Sequence, residues 1–227
     1  MGYGICLKVW GDYACFTRPE MKVERVSYDI MTPSAARGIL ESIYWKPAIK
    51  WVIDKIHVIN PILFTNIRRN EVSDKISVSK VLAIAKGVDE EFYTVTTENR
   101  QQRASLILRD VCYFIEAHFE MTDKVGERDN EKEHYNIAIR RMSKGQFHKQ
   151  PVFGTREFPA FFELVDKPDK SELKGEQDLG FMLFDMDFKG CKEKNIFYND
   201  ADPIFYRPKM VDGVVDVLKC YKETVKL

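Results

Sequence analysis

Apolar and polar residues alternate from Tyr3 to Trp10, with Ile5, Leu7 and Val9 on one side, and this period of two predicts an opening strand that ends at Gly11-Asp12. From Thr32 the period lengthens. Thr32 is a capping residue, Pro33 suits a first helical turn, and Ile39, Leu40 and Ile43 recur at helical spacing until Pro47 stops the run. Strand character returns from Ile49 to Ile59, carried by Ile49, Trp51, Val52, Ile53 and Val58. After Asn60-Pro61 a further strand covers Ile62 to Arg69, and the two are expected to pair as a hairpin. Residues from about 70 to 103 are polar without a clear period and predict a mobile or thumb-like insertion. Ala104 to Met121 predicts a strand so long that it needs a bulge or bend. Asp129 to Ser143 predicts a helix with Tyr135, Ile139 and Met142 on one face and Gly145 as its terminator.

This order approaches the βαββαβ unit of the ferredoxin-like fold, which RNA-recognition modules share, so the expected class is α+β. The expected division is an RRM-like domain over residues 1–165, including the insertion, and a small β-rich region over 166–227. In the second region Asp166 to Asp178 is charged and loop-like, and short strands are expected around Phe181 to Phe188 and Ile196 to Tyr206.

Composition narrows the chemistry. The 227 residues carry 35 basic and 35 acidic side chains, so any polyanion-binding site has to be a local patch. Five cysteines without a CxxC pair fit neither a disulfide framework nor a zinc ribbon and point to a reducing cytoplasm. No signal-peptide pattern and no membrane-length apolar run is visible. Four histidines, His57, His118, His134 and His148, are too few and wrongly spaced for an HExxH site, and no phosphate-binding glycine loop is present. Asp185 and Asp187 alternate on one strand face and are the candidate pair for a divalent ion in a rival, metal-dependent nuclease reading.

Metal-free acid–base chemistry on RNA needs little from a protein. The ribose 2′-hydroxyl is the nucleophile, so the side chains have only to move protons and stabilise charge at phosphorus, tasks suited to His, Tyr and Lys. His118 stands near the end of the long strand, where an acid such as Glu116 or Glu120 would be its partner in a purely structural role, and Tyr44 closes the first helix beside Trp45. Arg68, Arg69, Arg100, Arg103, Arg140, Arg141 and the pair His148-Lys149 are the candidates to track a phosphate backbone. Phe147, Phe153, Phe158, Phe161 and Phe162 are dense enough that most belong to the core rather than to a base-stacking platform.

Longer strings then carry a resemblance. Trp10-Gly11-Asp12-Tyr13 with Phe16-Thr17, Glu41 through Pro47, Gln101 through Leu106 leading to Arg109-Asp110-Val111, Ala117-His118-Phe119-Glu120, Gly154 through Ala160 and Asp178 through Phe188 resemble, in order and over nearly the whole chain, the Cas-five family of subtype I-C (Dvulg). The resemblance implies an endoribonuclease that binds the repeat hairpin of CRISPR precursor RNA, cuts it without metal or other cofactor to leave a cyclic phosphate, and stays on the mature crRNA beside the backbone and large subunits of the type I-C effector, away from any membrane. It also implies that Tyr44 and His118 act in cleavage. A lysine is expected at or just before the position preceding the histidine, where Glu116 and Ala117 stand here, and Lys46 is the candidate to replace it. Many members of the wider family only hold the guide 5′ handle, and that non-catalytic role is the alternative.

Overall fold

In the computed structural model, which describes residues 4–21, 23–89, 92–127, 129–188, 201–221 and 225–226, the 22-residue strand β4 (Arg100–Met121) organises the chain. Its C-terminal half lies between β1 (Ile5–Ala14) and β2 (Ile49–Val58), both antiparallel to it. Its N-terminal half pairs with β3 (Leu63–Val72). The helix α1 (Pro33–Ile43) connects β1 to β2, and α3 (Glu131–Ser143) connects β4 to β5 (Phe161–Val165), which closes the far side of β1. The strand order is therefore β5-β1-β4-β2. Thr32 caps α1 by accepting from the Ala35 amide at 3.2 Å, with Pro33 in the first turn as the sequence predicts.

The expected hairpin between the second and third strands does not form. β2 and β3 lie end to end along the same edge of β4, because one 22-residue strand is long enough to serve both. Asp110, at φ 53°, marks the point on β4 between the two partners. Nor does Gly11 end β1, which runs on to Ala14: a Cβ at Gly11 would stand 2.9 Å from both the Phe153 ring and the Pro159 carbonyl oxygen, so this glycine serves close packing rather than termination.

The insertion is an arm built from β3 and the first half of β4, with the short helix α2 (Val78–Ala85) at its tip. No residue of α2 is buried, and Ile76, Val78, Val81, Leu82 and Tyr93 all leave apolar surface in solvent. At the root of the arm the loop 150–160 packs against β1. There Gly154, at φ +83°, would place a Cβ 2.0 Å from the Cys15 carbonyl oxygen, so only glycine fits.

Alternation sorts the sheet into two faces. Leu7, Val9, Trp51, Ile53, Ile115, Ala117 and Phe119 form the face that α1 and α3 cover, and they belong to the main core with Ile39, Leu40, Tyr44 and Met142. Phe153 and Phe158 are buried as expected, whereas Phe147 and Phe161 are not. Lys8, Trp10, Val52, Glu116 and His118 point to the opposite, open face.

Beyond β5 the chain splits between two sheets. β6 (Glu176–Asp178), β9 (Lys209–Val211) and β10 (Val214–Asp216) extend the main sheet past β2, while β7 (Met182–Asp187), β8 (Asp202–Tyr206) and β11 (Val225–Lys226) make a separate three-stranded sheet. The short helix α4 (Val217–Tyr221) follows β10 directly. The expected strand from Ile196 lies outside the described residues up to position 200, and its described remainder is β8. Among the described residues no helix is long and apolar enough to cross a membrane.

Candidate active site

The two rings singled out in the sequence stand on opposite faces of the sheet. Directly opposed residues share a face, so His118 goes with its partner Val52, while Trp51 and Phe119 meet edge to face at 5.5 Å on the other side. Tyr44 belongs to that other side: the Trp51 indole donates to its carbonyl oxygen at 2.8 Å, and its side chain is buried. Convergence of a phenol and an imidazole on one ribose, expected from the resemblance, is not what this geometry offers.

Tyr44 is engaged inside the protein. Its hydroxyl lies 2.7 Å from Nδ1 of His134 on α3, and the Arg141 guanidinium stands over its ring at 5.3 Å. Burial pushes the phenol pKa up, only partly offset by Arg141, so the hydroxyl stays protonated and donates to His134 Nδ1. The imidazole proton is then on Nε2, 3.2 Å from Asp129 Oδ1, a close approach of a neutral ring to a carboxylate that is not aligned as a hydrogen bond. Lys46 is exposed in the turn beyond Tyr44 and makes no ion pair among the described residues. That turn meets the end of β4, where Thr122 donates to the Pro47 carbonyl oxygen at 2.6 Å.

His118 is half-exposed, and its partner is neither of the expected glutamates. Nδ1 lies 2.8 Å from Oδ1 of Asp54 on the neighbouring strand. The contact depends on a bulge: Ile53 pairs with Ala117 and Lys55 with Glu116, so Asp54 is an extra residue that the ladder leaves free. An orienting carboxylate on Nδ1 leaves Nε2 to face a substrate. A second pair of the same kind stands next to it, His57 Nε2 being 2.7 Å from Glu116 Oε1, with Lys55 at 3.8 Å from the other carboxylate oxygen. Sequence reading missed Asp54 and His57 because cross-strand partners carry no local spacing signal. A cleft of about 970 Å³ lined by both signs of charge, Lys55, Arg207 and Lys219 with Asp178 and Asp216, opens beside this second pair, and there Arg207 is paired with Asp178 and Lys219 with Asp216. Another of about 560 Å³, lined by Arg37 of α1, Lys50 and Val52 of β2, Glu120, Asp185 of β7 and Leu218 of α4, opens along the start of β2, and His118 lines neither cleft.

The arginines divide by face of the arm. Arg69 pairs with Glu157 and donates to Ser105 at 2.7 Å, and Arg103 lies 3.6 Å from Glu71, which Arg25 also approaches at 3.5 Å. Burial pushes the Glu157 carboxyl up, but hydrogen bonds from Arg69 and Thr155 outweigh it and hold the group below the usual carboxylate range. These contacts tie the arm to the 150–160 loop. Arg68 and Arg100 point the other way and have no partner among the described residues. Arg140 and Lys149 are exposed, and Arg141 is spent on Tyr44 and on the Ile43 carbonyl oxygen at 2.9 Å. Asp185, half of the suggested metal pair, is held by a two-pronged contact with Arg37, and among the described residues no three metal-ligating side chains cluster.

The class of protein is a CRISPR-associated one: a family model described as "CRISPR-associated protein (Cas_Cas5)" matches residues 4–218. A curated "CRISPR pre-crRNA endoribonuclease Cas5d" of Mannheimia succiniciproducens is 51% identical over 233 residues, covering 100% of both chains. A protein of the same name from Thermus thermophilus is 42% identical and covers 97% of this chain and 94% of its own. Among solved structures, one titled "Crystal Structure of CRISPR-associated Protein" superposes with a TM-score of 0.66 at 22% identity over 96% of this chain and 94% of that one, a likeness of fold. A functionally uncharacterized Streptococcus mutans protein superposes with a TM-score of 0.65 at 20% identity, over 96% of this chain and 95% of its own. The chain belongs to the Cas5 family of CRISPR-associated proteins, in its subtype I-C form.

Proposed function

We propose that the chain is a pre-crRNA endoribonuclease that binds the CRISPR repeat hairpin, cuts it without a metal ion, and remains on the mature crRNA as a subunit of the type I-C effector. The relatives' names support the reaction class. The observation that carries the reading to this chain is the half-exposed His118, held by Asp54 on the open face of a rigid ladder. The strand order β5-β1-β4-β2 with α1 and α3 on one face supports a ferredoxin-like core over 1–165, with His118 on the face opposite those helices.

His118 exchanges a proton with the reacting ribose or with the departing oxygen. The 2′-oxygen attacks phosphorus, the bond to the 5′-oxygen breaks, and a 2′,3′-cyclic phosphate and a 5′-hydroxyl result. Lys46 is assigned charge stabilisation at the phosphate rather than proton transfer. The exposed apolar tip at α2 supports a place in an assembly, since apolar surface of that kind marks contact sites.

The reading is tested with purified chain and its own repeat hairpin. A single deoxyribose 5′ to the scissile phosphate should stop cutting, and chelator should leave the rate unchanged; full inhibition by chelator would refute the metal-free mechanism. Arg68 and Arg100 are assigned to phosphate contacts. Reversing both to Glu should weaken hairpin binding and flatten its dependence on salt, the log–log slope falling by about 1 for each phosphate no longer neutralised. An affinity unmoved across a salt series would remove the arm from the RNA-binding surface.

A further inference from the structure

Attack of the 2′-oxygen adds negative charge to the phosphate oxygens that stay on phosphorus, so a cation beside the reacting phosphate gains more in the transition state than in the ground state. Resting on the reading of His118 above, we propose that Lys50 is a further catalytic residue of the same site. Its ammonium stabilises the charge that develops on the phosphate where His118 moves a proton.

Register carries the assignment. His118 lies directly opposite Val52, and Glu120 directly opposite Lys50, so Lys50 and His118 are diagonal neighbours on one face of the ladder between β2 and β4. Diagonal neighbours stand roughly 7–8 Å apart, within reach of a long side chain, and one phosphate can bridge an imidazole and an ammonium at that spacing. Asp54 takes Nδ1 of His118 at 2.8 Å, which leaves Nε2 for the substrate.

The other cations around this face are committed or further away. Lys55, the diagonal neighbour on the far side of the bulge, lies 3.8 Å from Glu116. Lys8 lies 3.9 Å from Asp169, and Arg37 is held by Asp185 with Glu41 at 3.4 Å. Lys46 rises from the turn that Thr122 joins to the end of β4, and Thr122 is about 13 Å past His118 along the strand. It supports the phosphate from beyond the ladder, whereas Lys50 belongs to the ladder itself. Lys50 is exposed and makes no ion pair or hydrogen bond among the described residues, Glu120 opposite included. Its charge is therefore available to a phosphate, and Glu120 weakens the local field without capturing the ammonium. Lys50 transfers no proton, so the proton balance at His118 is unchanged.

The test compares full-length Lys50→Gln, Lys50→Arg, Glu120→Gln and His118→Ala on the repeat hairpin, with single-turnover rates at saturating protein, binding curves and thermal melts. Lys50→Gln keeps much of the side chain without its charge. It is expected to slow cleavage by ~10–100-fold, a solvent-facing cation being worth less than an enclosed donor, with unchanged melting and a much smaller loss of affinity. Lys50→Arg restores the charge and should recover most of the rate, which a merely structural role for the side chain would not predict. Glu120→Gln should cut at least as fast as the unaltered protein. Normal cutting by Lys50→Gln beside an inactive His118→Ala would overturn the role of Lys50 alone, and normal cutting by His118→Ala would overturn the reading beneath it. A Lys50→Gln protein that loses affinity but keeps its full rate at saturation would reduce Lys50 to a binding contact. Equal slowing in Glu120→Gln would make the two a structural pair, and either result defeats the proposal.

Discussion

Replacing His118 with Ala is expected to slow cleavage of the repeat hairpin by ~10²–10⁴-fold, the usual worth of one positioned acid or base, while leaving hairpin affinity unchanged. The separation follows from placement. His118 projects from β4 near its C-terminal end, on the face opposite the helices, whereas Arg68 and Arg100, the cations assigned to phosphate, lie out on the arm at the other end of that strand. Little stability should be lost, because both His118 and Asp54 are partly in solvent and an unpaired Asp54 carboxylate can be hydrated. Asp54→Asn should slow the reaction less than His118→Ala, since it keeps an acceptor that orients the ring. Single-turnover rates, binding curves and thermal melts on the same samples give the three readouts. A His118→Ala protein that cuts at the normal rate would displace the active site altogether.

Tyr44→Ala is expected to lower stability by about 3–5 kcal/mol, the cost typical of emptying a buried aromatic site. It removes a ring that Arg141 covers and leaves His134 Nδ1 without its donor in the core. Cutting should fall in step with the folded fraction. Tyr44→Phe keeps the ring and deletes one hydrogen bond, for about 1 kcal/mol, and should cleave at close to the normal rate. Urea unfolding paired with cleavage assays decides the matter. A Phe variant of normal stability that fails to cut would return the phenol to the chemistry and reject its assignment to the fold.

Several elements were legible in the chain before any fold was known. The Thr32-Pro33 start of α1 and the alternation through Ile5, Leu7 and Val9 are local signals, because capping and burial depend on neighbours one to four residues away. The long strand ending at Met121 was visible for the same reason, and so was its need for irregularity, which takes the form of the positive φ at Asp110 and of the bulge at Asp54 in the neighbouring β2. Where prediction failed, a long-range partner had intervened. β2 and β3 look like a hairpin from their spacing, but each gains more ladder by pairing with β4. Gly11 looks like a terminator, yet Phe153, far along the chain, needs the space.

The sequence by itself determined the family, the strand and helix types, and that His118 stands in a strand beside acidic residues. Only the tertiary structure decided which face of the sheet each side chain occupies and which carboxylate holds which imidazole. A shift of one residue in a strand moves a side chain to the other face, so a single bulge at Asp54 sets the neighbours of His118, and the helices packed over Trp51 enclose Tyr44. Faces and cross-strand partners are properties of register, and register is fixed by contacts between residues far apart in the chain.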